Sequence, residues 1–191
     1  MRGTCPVVDS DTALIVIDML NPYDHEDADT LAERVRPMVG TLAGLVREAQ
    51  AAPGVEVIYV NDNYEDFRAT REDIVGRALA GARPELVEPI VPSDAVEFMQ
   101  KVRHSAFYST ALDHLLRERG IETVVLAGQV TEQCILYSAL DAYVRGFDIR
   151  VPRDAVAQID DELGDAALRM MERNMRVDVV DARAAFGRRP A

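Results

Sequence analysis

Asp18, Lys101 and Cys134 are a carboxylate, an ammonium and a thiol, three groups that can cooperate to make a nucleophile. A free thiol has a pKa of about 8.5 and stays mostly protonated at neutral pH, so alone it attacks carbonyl carbon poorly. A helix N-terminus and a nearby ammonium both favour the thiolate, and a carboxylate can take the proton and hold the lysine. Each residue also has a plain structural role: a small buried hydrophobe for the cysteine, a turn for the aspartate, a solvated end for the lysine. Their placement favours chemistry. Asp18 follows the apolar run ALIVI (13–17), Lys101 follows VEFMQ (96–100), and Cys134 follows TVVLA (123–127) through a short loop that opens with Gly128.

Those runs read as strands, with VEVIYV (55–60), FDIRV (147–151) and VDVV (177–180) beside them, and the run at 96–99 as a weaker one. Between them, Leu31, Val35, Met38, Leu42, Leu45 and Ala49 recur at helical steps, with Pro37 marking a start or a kink. Further helices are expected over 110–119, 132–145 and 163–173, with Gly120 and Gly146 as C-terminal caps. Apolar strands separated by helices predict a three-layer α/β/α fold around a parallel sheet. No linker, repeat or composition break divides residues 1–191, so one domain is expected. In such sheets, ligands bind beyond the carboxyl ends of the strands, where the strand order reverses. All three residues stand at such ends.

Composition excludes several classes. The net charge of −12 opposes a nucleic-acid partner, because phosphates would repel this surface. No apolar run reaches the ~20 residues of a membrane span, and the N-terminal segment lacks a signal-peptide pattern. Cys5 and Cys134, far apart, read as free thiols of a reducing compartment, with the cytoplasm as default.

DMLNPY (18–23), KVRHSAF (101–107) and GQVTEQCILYSALDA (128–142) resemble the isochorismatase-like cysteine hydrolases. The resemblance implies a six-stranded parallel sheet with helices on both faces. It implies a triad of Asp18 as general base and acid, Lys101 as electrostatic partner and Cys134 as nucleophile. It further implies a cis peptide joining Gln129 to Val130, and an oxyanion hole made by the backbone N–H groups of Val130 and Cys134. In this loop Gly128 permits a tight exit from the strand, and Thr131 is positioned to cap the helix.

Within that family, nicotinamidases carry a metal-binding Asp-x-His after the second strand. Here Asp62 is present but Tyr64 stands at the histidine position, so no metal and no cofactor are expected, and nicotinamide is disfavoured. The acidic stretch DHEDAD (24–29) reads as a solvated loop rather than a hard-cation site. Members that cleave only the vinyl ether of isochorismate lack the cysteine, so Cys134 favours hydrolysis of an amide-type C–N bond in a small metabolite. Vinyl-ether cleavage and a catalytically silent binding or assembly module remain alternatives, as does His104 in place of Lys101 as the group paired with the thiol. Candidate pocket residues are Asn21, Tyr23, Asn63, Tyr64, Phe67, Phe107, Tyr108 and Tyr137. A homo-oligomer, dimer or tetramer, is expected from the resemblance, with Tyr143, Met170 and Met171 as interface candidates.

Overall fold

The computed structural model describes residues 11–187, so Cys5 lies outside the described residues. Seven strands form one sheet: β1 (Thr12–Ile17), β2 (Val55–Asp62), β3 (Glu97–Lys101), β4 (Thr123–Gln129), β5 (Asp148–Pro152), β6 (Val156–Ala157) and β7 (Asp178–Val180). The main path runs β3-β2-β1-β4-β5-β7 and every pairing is parallel, while the two-residue β6 pairs with the end of β4. The order reverses between β1 and β4, so the carboxyl ends of those strands bound the crevice where a ligand fits.

The alternation of side chains along a strand explains the layers. Leu14 and Val16 of β1 point into a cluster with Leu31, Val35, Leu42 and Leu45 of α1 (Ala28–Ala51). Ala13, Ile15 and Ile17 point the other way, toward α4 (Leu112–Glu118), α5 (Leu136–Val144) and α6 (Asp161–Met175), through Leu116, Ala139 and Met171. Burying one such aliphatic side chain contributes about 1.5–3 kcal/mol. β1 is therefore apolar on both faces and buried along its whole length.

Some elements differ from their sequence reading. α1 begins nine residues before Pro37 and runs through it. Pro37 and Glu33, the residue whose carbonyl loses its partner, both lie on the exposed face, where water can replace the missing bond. α2 (Arg71–Leu79) and α3 (Pro84–Val87) were not anticipated, although α2 opens with a capping box in which Thr70 and Asp73 exchange hydrogen bonds. Gly120 and Gly146 take positive φ just past α4 and α5, and Ile121 N–H reaches back to Leu116 O in a Schellman arrangement. Met171 is a core residue with no exposure, which removes it from the interface candidates. Tyr143 and Met170 are on the surface, where Leu140 and Val144 are also exposed. No helix among the described residues is long and apolar enough to cross a membrane.

Candidate active site

Four strand ends supply the site. Asp18 leaves β1 with φ 54°, a left-handed conformation aspartate tolerates, and its N–H donates to Val60 O at 3.1 Å. Its Oδ1 accepts from Asp62 N–H at the end of β2, 2.8 Å away, and its Oδ2 meets Lys101 Nζ at 2.8 Å. Lys101 is the last residue of the edge strand β3, yet its side chain is only 1% exposed and also faces Asp62 Oδ2 at 3.7 Å. Nζ stands 3.6 Å from Cys134 Sγ, and the thiol hydrogen-bonds with the Asp18 carboxyl. The three residues read from the sequence are thus one contiguous cluster.

Cys134 is reached differently from the sequence reading. β4 continues through Gly128 to Gln129, and the cysteine sits in a π-turn, Thr131–Ile135, ahead of α5. The Val130 carbonyl closes that turn, accepting from Gln133 and Ile135 N–H at 3.1 Å each. Thr131 does not cap it: its hydroxyl is buried and has no partner among the described residues. A wider turn, closed by a backbone carbonyl, replaces the side-chain cap. π-turns inside helices are frequent at functional sites. The Gln129–Val130 peptide is cis, and the Val130 N–H lies near enough to the Cys134 sulfur to favour its anion.

The charges act on one another. Burial pushes the Cys134 thiol well above its ordinary range, and the Asp18 carboxylate pushes the same way, while Lys101 and the Val130 N–H oppose them. The resting thiol is therefore protonated, not the pre-formed thiolate expected from an adjacent ammonium and a helix end. Burial also raises Asp18 above the usual carboxylate range, against the pull of Lys101, so it is a stronger base than a solvated aspartate. Burial works against the Lys101 ammonium, but Asp18, Cys134 and Asp62 outweigh it and hold the lysine above its ordinary value.

In front of the sulfur lies a cavity of about 240 Å³. That is below the roughly 300–1,000 Å³ of pockets for larger ligands, and suits a small molecule. Of the eight pocket candidates, Asn21 and Tyr64 line it. Tyr23 stands behind the wall, its hydroxyl donating to Gln129 Oε1 at 3.5 Å, and buried Asn63 is used locally by Glu65 N–H. Phe107 is core, against Phe147, while Phe67 and Tyr108 are surface residues and Tyr137 packs on the ring of exposed His104. These misses share a cause: flanking a motif in sequence does not fix which way a side chain points. His25, Asp27, Leu31, Asp62, Gln129, Gln133 and Ile159 line the cavity and were not on the candidate list. Only Asp62 and Gln129 had a sequence signal, both through the resemblance.

Asp62 is a poor fit for a metal here. Its Oδ1 accepts from Tyr64 N–H at 2.7 Å, its Oδ2 faces the Lys101 ammonium, and Tyr64 turns its hydroxyl to Leu20 O at 2.7 Å. A cation at Asp62 would sit beside another cation. Among the described residues, no group of three or more His, Cys, Asp or Glu is arranged to hold a metal. The acidic stretch 24–29 is partly engaged, Asp24 with Arg77 at 3.3 Å and Asp29 with Arg83 at 2.6 Å.

Residues 12–184 match the family model for the isochorismatase domain. The uncharacterized isochorismatase family protein YaaI of Bacillus subtilis is 34% identical over 163 residues, covering 85% of this chain and 90% of that one. The maleamate amidohydrolase of Pseudomonas putida is 31% identical over 156 residues, 75% of this chain and 71% of that one. Among solved structures, the N-carbamoylsarcosine amidase from Thermoplasma acidophilum aligns with a TM-score of 0.70 at 32% identity, covering 90% of this chain and 96% of that one. With the family model spanning nearly all the described residues and relatives above 30% identity along most of their length, the chain belongs to the isochorismatase family.

Proposed function

We propose that the chain is a cysteine hydrolase that cleaves a C–N bond of a small amide through a thioester. The observation that carries this is the contact set around Cys134: a carboxyl within hydrogen-bond reach of the thiol, with an ammonium 3.6 Å from the sulfur and 2.8 Å from that carboxyl. Asp18 takes the thiol proton as Sγ bonds to the carbonyl carbon, and the carbonyl electron pair moves to oxygen. The N–H groups of Val130 and Cys134 receive that oxyanion, a contribution of about 10²–10³ in rate for one such donor. As the oxyanion collapses, the C–N bond breaks and Asp18 returns its proton to the leaving nitrogen. Asp18 then takes a proton from water, which attacks the thioester and releases the carboxylic acid and the thiol. Lys101 keeps the carboxylate in place and offsets negative charge throughout.

The relatives named as an amidohydrolase and an amidase support C–N cleavage. A free nucleophilic thiol suits a reducing cytoplasm. Tyr143 and Met170 would become buried in a homo-oligomer, which light scattering tests. Function is tested by screening small amides with Cys134→Ala as blank. Turnover lost in Cys134→Ala and Lys101→Ala but retained in His104→Ala supports the triad; loss in His104→Ala with Lys101→Ala active rejects it.

A further inference from the structure

The cavity in front of Cys134 carries three carboxylates, Asp18, Asp27 and Asp62, and none of its described lining residues is Arg or Lys. His25 is the one lining side chain able to carry positive charge. Lys101 stands behind Asp18, engaged with Asp18 and Asp62. Arg77 and Arg103 line a separate groove beyond the wall formed by Asp62 and Tyr64, and Arg77 is paired with Asp24. Arg83 is turned to Asp29.

The three carboxylates are not equivalent. Asp18 and Asp62 are held by Lys101 and by backbone N–H groups. Asp27 occupies the N-cap position of α1 but caps no N–H, is exposed, and makes no ion pair among the described residues. It is the lining carboxylate free to meet a ligand. The N-terminus of α1 would attract an anion by itself, but its partial charge is about half an elementary charge, and Asp27 sits on that end with a full negative one. A carboxylate entering the cavity would meet repulsion from Asp27, and an ammonium would meet attraction.

We propose that the cavity selects amides whose far end is cationic and rejects amides bearing a carboxylate there, with Asp27 as the specificity-determining residue. This rests on the proposed amide hydrolysis, which sets the scissile carbonyl at Cys134 and leaves the rest of the molecule toward the start of α1.

Binding to the Cys134→Ala chain, read by calorimetry at low salt, tests this without needing turnover. Three amides of similar length serve: 4-aminobutanamide, butanamide and succinamate. 4-Aminobutanamide is expected to bind about tenfold more tightly than succinamate, the range open to a partly exposed pair that attracts one ligand and repels the other. Adding Asp27→Asn moves that ratio toward one and Asp27→Glu retains it, while butanamide registers any general damage to the cavity. Succinamate binding as tightly as 4-aminobutanamide overturns the proposal, as does a ratio unmoved by Asp27→Asn, or no binding of 4-aminobutanamide. Failure of the hydrolysis reading shows elsewhere, as wild-type chain that turns over no amide.

Discussion

Lys101 reaches from the edge strand β3 past the end of β2 to place Nζ 2.8 Å from Asp18 Oδ2 at the end of β1, with 1% of its side chain exposed. Removing one partner of such a buried pair leaves the other charged without compensation, which destabilises by about 3–5 kcal/mol. Lys101→Ala is expected to lower the unfolding free energy measured in urea by that amount, with a matching fall in the midpoint, and Lys101→Met with Asp18→Asn to recover much of it. A midpoint unchanged in Lys101→Ala rejects this account.

The thiol is expected to alkylate as an ordinary or sluggish one in the free protein. With Cys5 replaced, iodoacetamide labelling of Cys134 should keep climbing above pH 9. Asp18→Asn removes the second-largest cause of the raised thiol pKa and should shift the profile to lower pH while abolishing turnover. A plateau reached below pH 8 in the otherwise native chain contradicts the geometry. Stability carries the same sign. An unfolded cysteine loses its proton near about pH 8.5 whereas the folded one keeps it, so the stabilisation is full below that pH and declines as pH rises above it. Urea midpoints between pH 8.5 and 10 should fall less steeply in Cys134→Ala.

Glu132, two residues before Cys134, accepts from Ile159 N–H at 2.9 Å and Asp160 N–H at 3.0 Å through one oxygen. Ile159 lines the cavity. Glu132→Ala leaves two backbone donors without their acceptor and should destabilise by about 1–3 kcal/mol. It should also raise KM more than it lowers kcat, because a wall moves rather than a reacting group. Glu132→Gln keeps an acceptor oxygen and should restore most of both. Equal loss in the two variants would mean that the charge, not the acceptor, is what matters.

Gly128 has φ +119°, and a Cβ there would stand 2.2 Å from Ile17 O. Backbone cannot move aside as a flexible side chain can. Gly128→Ala should therefore unfold the chain or cost more than about 3 kcal/mol, read as a shifted thermal midpoint. A midpoint within a degree of wild type is incompatible with this close approach of β1 and β4.

The parallel direction of the strands was readable from apolar runs, because strands covered on both faces are largely apolar, as β1 and β4 are, whereas their order in the sheet left no mark in the sequence. The cluster of Asp18, Lys101 and Cys134 was readable because Asp18 and Lys101 stand at strand ends and Cys134 just beyond one, each with a motif around it. The cavity wall was not. His25 and Asp27 come from a stretch that looks merely acidic, and they become wall only because α1 starts at Ala28 and turns them toward β1. Ile159 is brought in by β6, two residues long, too short to leave a periodic signal. The thiol's protonation was misread because the sequence shows the neighbouring ammonium but not the burial that outweighs it.

β4 and β5 stay paired only through Val125 and Arg150, and β6 takes over beside Gly128 and Gln129. The chain that makes β6 runs straight on to Ile159, which is tied to Glu132. One jamb of the doorway is thereby fastened twice to the segment that carries Cys134 and cannot shift without it. The other jamb, His25 through Leu31, hangs from the first turn of α1, with a 3.4 Å contact between Asn21 and His25 beside it. Such a site can be refitted for a new substrate from the α1 side alone, by changes at 25, 27 and 31, with the chemical machinery left standing.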